Sequence, residues 1–156
     1  MSLVAYDNTA DPAPADTIPN NTFWPALDPA DFRAVSRLDQ SVSNGRVDEC
    51  LAIAMVDINR ILAAFQAEQV EAGHTTVDDI PLDVWQTADH YPRLYRRAVY
   101  ALAHAGLMER YRDHSATGDG DERGQTKDEA ADDLRADARW AVAEITGGNH
   151  STVELI

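Results

Sequence analysis

The sequence predicts an all-α protein: a small helical bundle of three to four main helices, with an extended N-terminal arm and an extended C-terminal tail. Apolar side chains recur every three or four residues over long stretches, which is the period of an amphipathic helix. Residues typical of helix starts and helix ends flank those stretches. The chain of 156 residues has a single short β-prone segment, at its C-terminal end, so no sheet is expected.

Composition divides the chain into three parts. Residues 1–19 form an arm of Asp, Ala, Pro and Thr with few aromatics. Such a composition buries too little apolar surface to offset the entropy of ordering it, so we expect a flexible acidic arm that only a partner orders. Residues 20–146 form the helical domain, and residues 147–156 form an extended tail.

Two large aromatic residues, Phe23 and Trp24, stand at the foot of the arm. Pro25 restricts the backbone of Trp24 to an extended conformation. Two interpretations are open. Either the rings anchor on a neighbouring subunit, or they staple the first helix onto the chain's own core.

The first two helices have clear boundary signals. Asp28 is an N-cap and Pro29 occupies the first helical position, where no amide donor is missed, so a short helix is expected over about 29–38. A long central helix follows and ends at Gly73, which suits the left-handed position after a helix. Its apolar stripe consists of Val47, Leu51, Ala54, Ile58, Leu62 and Phe65.

The next helix is expected to begin at Pro92, and three arginines crowd its first turns. Positive charge at a helix N-terminus opposes the macrodipole, so another interaction must favour Arg93, Arg96 and Arg97 there. One interpretation is ion pairing with the chain's own acids. The other is a contact with a neighbouring subunit or with phosphate.

The last helix is expected over about 126–145, with Thr126 as its N-cap and Glu129 completing a capping box. Gly147 and Gly148 end it. The β-prone residues that follow, 151–156, have no partner strand elsewhere in the chain, and a lone terminal strand is suited to pairing with another protein's sheet edge.

Charge, cysteine content and hydropathy indicate which classes of protein this chain does not resemble. A net charge of −14 repels phosphate, which argues against wrapping of nucleic acid by the whole surface. The lone Cys50 falls on the apolar side of the central helix and is expected to be a small core residue in a reducing compartment. No apolar run reaches the length of a membrane span, and residues 1–20 lack the features of a signal peptide.

Motifs for catalysis or metal binding are missing from the sequence. It contains no phosphate-binding glycine loop, no nucleophile elbow and no zinc-protease motif. The segment from Asp113 resembles the first half of a calcium loop, but Gly124 stands where the bidentate carboxylate belongs. We therefore expect no catalytic residue, no metal and no cofactor.

Several stretches, in order and spacing, resemble the head completion proteins of temperate contractile-tailed phages (the L protein family). The resemblance covers about residue 20 to the C-terminus. The matching stretches are Asn21-Thr22-Phe23-Trp24-Pro25, Leu27-Asp28-Pro29, Arg37-Leu38-Asp39-Gln40-Ser41-Val42, Ala72-Gly73-His74, Asp79-Ile80-Pro81, residues 95–103, residues 107–112 and residues 134–145.

This resemblance implies a structural head–tail connector, or adaptor, and not an enzyme. Such a subunit docks on the portal vertex after DNA packaging, completes and stabilises the DNA-filled head, and prepares it for tail attachment. It implies a homo-oligomeric ring matching the twelve-fold portal, placed in the neck of the virion after synthesis in the host bacterial cytoplasm.

The resemblance also implies partners. They are the portal protein, a tail terminator or neck protein, and packaged double-stranded DNA that passes through the lumen without sequence-specific binding, with no membrane involved. On this hypothesis a subunit interface contains Phe23, Trp24, Arg93, Arg96 and Arg97. The portal-docking tail consists of Val153, Glu154, Leu155 and Ile156.

A second hypothesis is an acidic protein-binding module. The arm would then neutralise a basic partner, as a DNA mimic or an antitoxin does. It predicts a monomer or dimer without affinity for portals.

Overall fold

The computed structural model describes residues 16–114 and 121–148, with side chains described for residues 16–110 and 128–148. These residues form helices and no strand, as the all-α class predicts. An isolated antiparallel bridge joins Ile18 to Leu27. The helices are α1 (Pro29–Ser36), α2 (Asn44–Ile61), α3 (Ala63–Glu71), α4 (His90–His114) and α5 (Asp121–Thr146), with a short 3₁₀ helix at Val77–Asp79.

The predicted start of α1 is confirmed. The Asp28 carboxylate accepts a hydrogen bond from the amide of Ala30 at 2.7 Å, and Pro29 is the first helical residue. The helix ends at Ser36, two residues earlier than expected. Arg37 follows it in the left-handed region, with φ at 50°.

The predicted single central helix is wrong, because it breaks at Leu62 into α2 and α3, which are bent by 60°. No proline or glycine lies at the break. The bend instead brings the ring of Phe65 against Trp24, with centroids 6.2 Å apart, while Leu62 is fully buried.

The predicted C-terminal end of this helical stretch, at Gly73, is confirmed. Gly73 has φ at 98°, and the amides of Gly73 and His74 close a Schellman motif on Val70 and Gln69.

α4 and α5 pack against each other along much of their length. α4 begins at His90, two residues before Pro92. α5 begins at Asp121, so Thr126 lies inside the helix and the prediction that it is the N-cap of a capping box is wrong. Acidic residues at the first two positions of α5 match the positive end of the helix macrodipole, which favours the earlier start. The predicted end holds, because Gly147 has φ at 70°.

The centre of the core is a stack of aromatic rings. Trp24 lies parallel to Tyr95 with centroids 4.6 Å apart, and Phe65 covers its other side. The Tyr95 hydroxyl donates to Asn59 Oδ1 at 2.7 Å and accepts from Asn20 Nδ2 at 2.7 Å. Asn59 Nδ2 donates to Asn20 Oδ1 at 2.8 Å, which closes the ring of hydrogen bonds. Burial raises the pKa of Tyr95 to about 12, so its hydroxyl keeps its proton at neutral pH.

The position of Phe23 and Trp24 corrects their assignment to a subunit interface. Their side chains are only 2% and 3% exposed, so they belong to this chain's own core. The structure therefore bears out the second interpretation, in which the rings staple the start of the domain onto the helices. Burial leaves neither ring a free face for a neighbouring subunit.

We predict that Trp24→Ala lowers the free energy of unfolding by about 3–5 kcal/mol, since it removes a large buried ring from the centre of the core. Trp85→Ala makes the same chemical change at a residue that is 67% exposed and should cost less than about 1 kcal/mol. Urea unfolding of both variants measures the difference. Equal losses would contradict the central role of Trp24.

Cys50 is buried, as expected for a core residue, and burial raises the pKa of its thiol to about 11. Only about 0.1% of the thiol is then ionised at pH 8, and the thiolate is the reactive form. We expect iodoacetamide to leave Cys50 largely unmodified in the native protein and to modify it rapidly in 6 M guanidinium. Mass spectrometry over time checks this, and fast modification of the folded protein would contradict it.

Candidate interaction surface

A cleft between α1, α4 and α5 collects basic side chains. It has a volume of about 540 Å³ and is lined by four arginines: Arg37 after α1, and Arg93, Arg96 and Arg97 in the first turns of α4. The three α4 arginines share one side of the helix because they are three and four residues apart. We call this the arginine cleft. It is the feature that stands out in a chain with a net charge of −14.

Two acids also line the arginine cleft, and each already has a partner. The Asp137 carboxylate accepts hydrogen bonds from Arg97, one at 3.1 Å from Nε and a second from Nη2. This pair raises the pKa of Arg97 and connects α4 to α5. The Asp31 carboxylate accepts a hydrogen bond from the Tyr100 hydroxyl at 2.9 Å, and burial together with this carboxylate raises the pKa of Tyr100.

The remaining arginines of the cleft are open to a partner. Among the side chains that the structure describes, Arg37, Arg93 and Arg96 form no ion pair. Pairing within the chain is therefore confirmed for Arg97 alone of the three arginines of α4. His104 also lines the cleft, but burial lowers its pKa, so the positive charge at neutral pH comes from the arginines.

An exposed apolar loop precedes α4, and sequence reasoning missed its importance. Val84 is fully exposed at 107% and Trp85 at 67%, with Leu82 beside them at 45%. Trp85 meets the ring of His90, the first residue of α4, edge-on at 5.5 Å. We call residues 82–85 the apolar loop. The available signal was three large apolar residues, Leu82, Val84 and Trp85, within four positions that do not continue any helical stripe.

A second hollow lies on the other side of the bundle. It has a volume of about 390 Å³ between α2, α4 and α5, and its lining is mostly apolar. Ile58 and Ile61 contribute from α2, Leu102 from α4, and Ala138 and Val142 from α5. Ile61 is 59% exposed, so part of the apolar lining of this hollow is open to solvent.

No group of His, Cys, Asp or Glu among the described residues has the arrangement of a metal site. In the same part of the chain, no single helix is long and apolar enough to span a membrane, and only the bent pair of α2 and α3 meets the length and composition when taken together. The predicted docking tail, Val153 to Ile156, lies outside the described residues.

The described residues define an all-α protein whose surface carries an arginine cleft and an exposed apolar loop. The chain belongs to the phage head completion protein (GPL) family, whose model matches residues 18–156. It is similar to the head completion/stabilization protein of Escherichia phage P2, with 37% identity over 148 residues that cover 93% of this chain and 88% of the relative. No solved structure matches it significantly. Membership makes it a component of the virion and points to a non-enzymatic role in head completion.

We predict that Arg97 and Asp137 contribute a modest, salt-sensitive coupling energy, because both side chains are substantially exposed. A double-mutant cycle with Arg97→Ala and Asp137→Ala should give about 0.3–1 kcal/mol at low salt and less in 1 M NaCl. The matched cycle of Arg96→Ala with Asp137→Ala should give a value near zero. A salt-independent coupling would contradict an electrostatic contact.

Proposed function

We propose that this chain is the connector subunit that docks on the portal vertex after DNA packaging and prepares the head for tail attachment. Several copies form a ring, matching the portal in symmetry, in the neck of the virion. The subunit is made in the host bacterial cytoplasm. Family membership and the name of the phage P2 relative support a role in completing and stabilising the head.

The observation that best supports the proposed contacts within the ring and with the portal is the exposed apolar loop, which precedes the arginines of α4 in the chain. Trp and Arg are the residues most enriched at the centres of protein interfaces. Exposed contiguous apolar side chains on a soluble protein mark interaction sites, since water contact is unfavourable for them. Val84 and Trp85, at 107% and 67% exposure, are therefore the side chains that we expect a neighbouring subunit or the portal to cover.

The net charge suits a protein beside packaged DNA. A net charge of −14 repels phosphates on average, which lowers the tendency of DNA to adhere to the wall of the ring wherever no local group of basic side chains is exposed. A basic wall would retain the duplex through counterion release. This supports a lumen that DNA traverses without sequence-specific binding.

The proposed function is tested on DNA-filled heads produced with and without this protein. We expect the protein to add density below the portal and to protect the packaged DNA from nuclease. Electron microscopy and a nuclease assay measure both effects. Heads that stay intact, protected and competent for tail attachment without the protein would overturn the proposal and favour the acidic binding module.

We further propose that Val153, Glu154, Leu155 and Ile156 dock on the portal, because a β-prone apolar terminus is suited to strand addition. Deletion of residues 151–156 should leave the helical circular dichroism unchanged and abolish co-sedimentation with the portal. Val84→Ser with Trp85→Ser is the companion variant, which tests the apolar loop in the same assay. Unchanged portal binding by the deletion variant would refute docking by the tail.

A further inference from the structure

The arginine cleft combines features that are individually unfavourable, which indicates a bound anion. Arg37 holds a left-handed backbone conformation, with φ at 50°, where glycine is the favoured residue. Arg93 places positive charge in the first turn of α4, at the positive end of the helix, and Arg96 follows one turn later. None of these three guanidiniums has an ion-pair partner among the described side chains. A negatively charged group in the cleft offsets all three costs together.

The acidic arm has the complementary charge. Residues 1–19 contain Asp7, Asp11 and Asp16, and the first basic residue of the chain is Arg33. No cation within the arm itself therefore competes for its carboxylates. Carboxylates match the planar guanidinium of arginine, which binds them with paired hydrogen bonds.

The arm also leaves the domain beside the cleft. Ile18 pairs with Leu27 through two backbone hydrogen bonds of 2.7 and 3.0 Å. Leu27 precedes Asp28, whose carbonyl accepts a hydrogen bond at 3.3 Å from Tyr100, and Tyr100 lines the cleft. Asp11 lies five residues before Asp16, which allows a reach of about 17 Å, and Asp7 extends this to about 30 Å.

We propose that the acidic arm of each chain docks in the arginine cleft of the same chain, with its aspartates on Arg37, Arg93 and Arg96. A tethered segment meets the cleft at a millimolar effective concentration, which favours contact within the chain over exchange between copies. A duplex is the less suitable occupant, because the cleft is concave and a duplex, unlike the arm, is not tethered beside it. The docked arm keeps the arginines away from phosphates.

The test uses the full chain with a fluorophore on Thr9→Cys. The thiol of Cys50 is buried, so it does not compete for the label. We expect high fluorescence anisotropy of the arm at low salt and a fall to the freely rotating value in 1 M NaCl, where charge contacts are screened. Arg93→Glu with Arg96→Glu should give that low value already at low salt. The matched control, Arg139→Glu on α5, should leave the anisotropy high.

Charge exchange provides the second measurement. We expect the high anisotropy to return when the Arg93→Glu and Arg96→Glu variant also carries Asp7→Arg and Asp11→Arg. Such a rescue would show that the cleft variant had lost a charge contact and had not simply misfolded. In the wild-type background, Asp7→Asn with Asp11→Asn and Asp16→Asn should increase retention of a short duplex at low salt several-fold.

Three results would overturn the proposal. An arm whose anisotropy does not respond to the cleft substitutions is not docked there. If those same substitutions abolish duplex binding, the cleft is a phosphate site instead. A high anisotropy that disappears on dilution would place the arm in the cleft of another copy. Each readout needs only the isolated protein, so it is independent of whether the chain proves to be a portal connector.

Discussion

The structure depends on one buried contact, the stacking of Trp24 between Tyr95 and Phe65. The rings belong to the segment before α1, to α4 and to α3, so a single side chain joins three parts of the chain. A closed ring of hydrogen bonds among Asn20, Asn59 and Tyr95 holds the segment before α1 against α2 and α4. Each of the three side chains is both a donor and an acceptor in this ring. The 60° bend between α2 and α3 accompanies this contact, because Phe65 lies on α3, three residues after the break at Leu62.

The same contact determines where the arginine cleft forms. The segment anchored by Trp24 leads directly into Asp28 and α1, and Phe32 of α1 meets the ring of Tyr100 on α4 at 5.2 Å. That packing sets Arg37, at the end of α1, opposite the arginines of α4. The interaction surface is therefore a consequence of core packing, even though its own side chains are exposed.

Most local signals at helix boundaries could be predicted from the sequence, with the capping box at Thr126 as the exception, and long-range packing could not. Asp28, Gly73 and Gly147 act through neighbouring backbone groups, so their positions predicted helix ends correctly. Leu62 fits the stripe of a straight helix as well as that of a bent one, because the bend is decided by Trp24, distant in sequence. The arginines of α4 were recognisable as a group, but Arg37 joins them only through tertiary packing. The exposure of Trp85 was missed because apolar residues are ordinarily expected to be buried.

The net charge and the arginine cleft act over different distances, which reconciles an acidic protein with a basic site. At physiological ionic strength the field of an exposed charge is screened beyond about 8 Å, so a phosphate at the cleft responds mainly to the side chains within that distance and only weakly to the whole charge of −14. DNA that comes within that distance meets the local side chains. Open guanidiniums would then hold phosphates however acidic the rest of the surface is. A protein beside moving DNA accordingly needs either no exposed arginines or an acidic segment that covers them. Three arginines of the cleft form no ion pair with the side chains that the structure describes, and the proposed docking of the acidic arm would cover them.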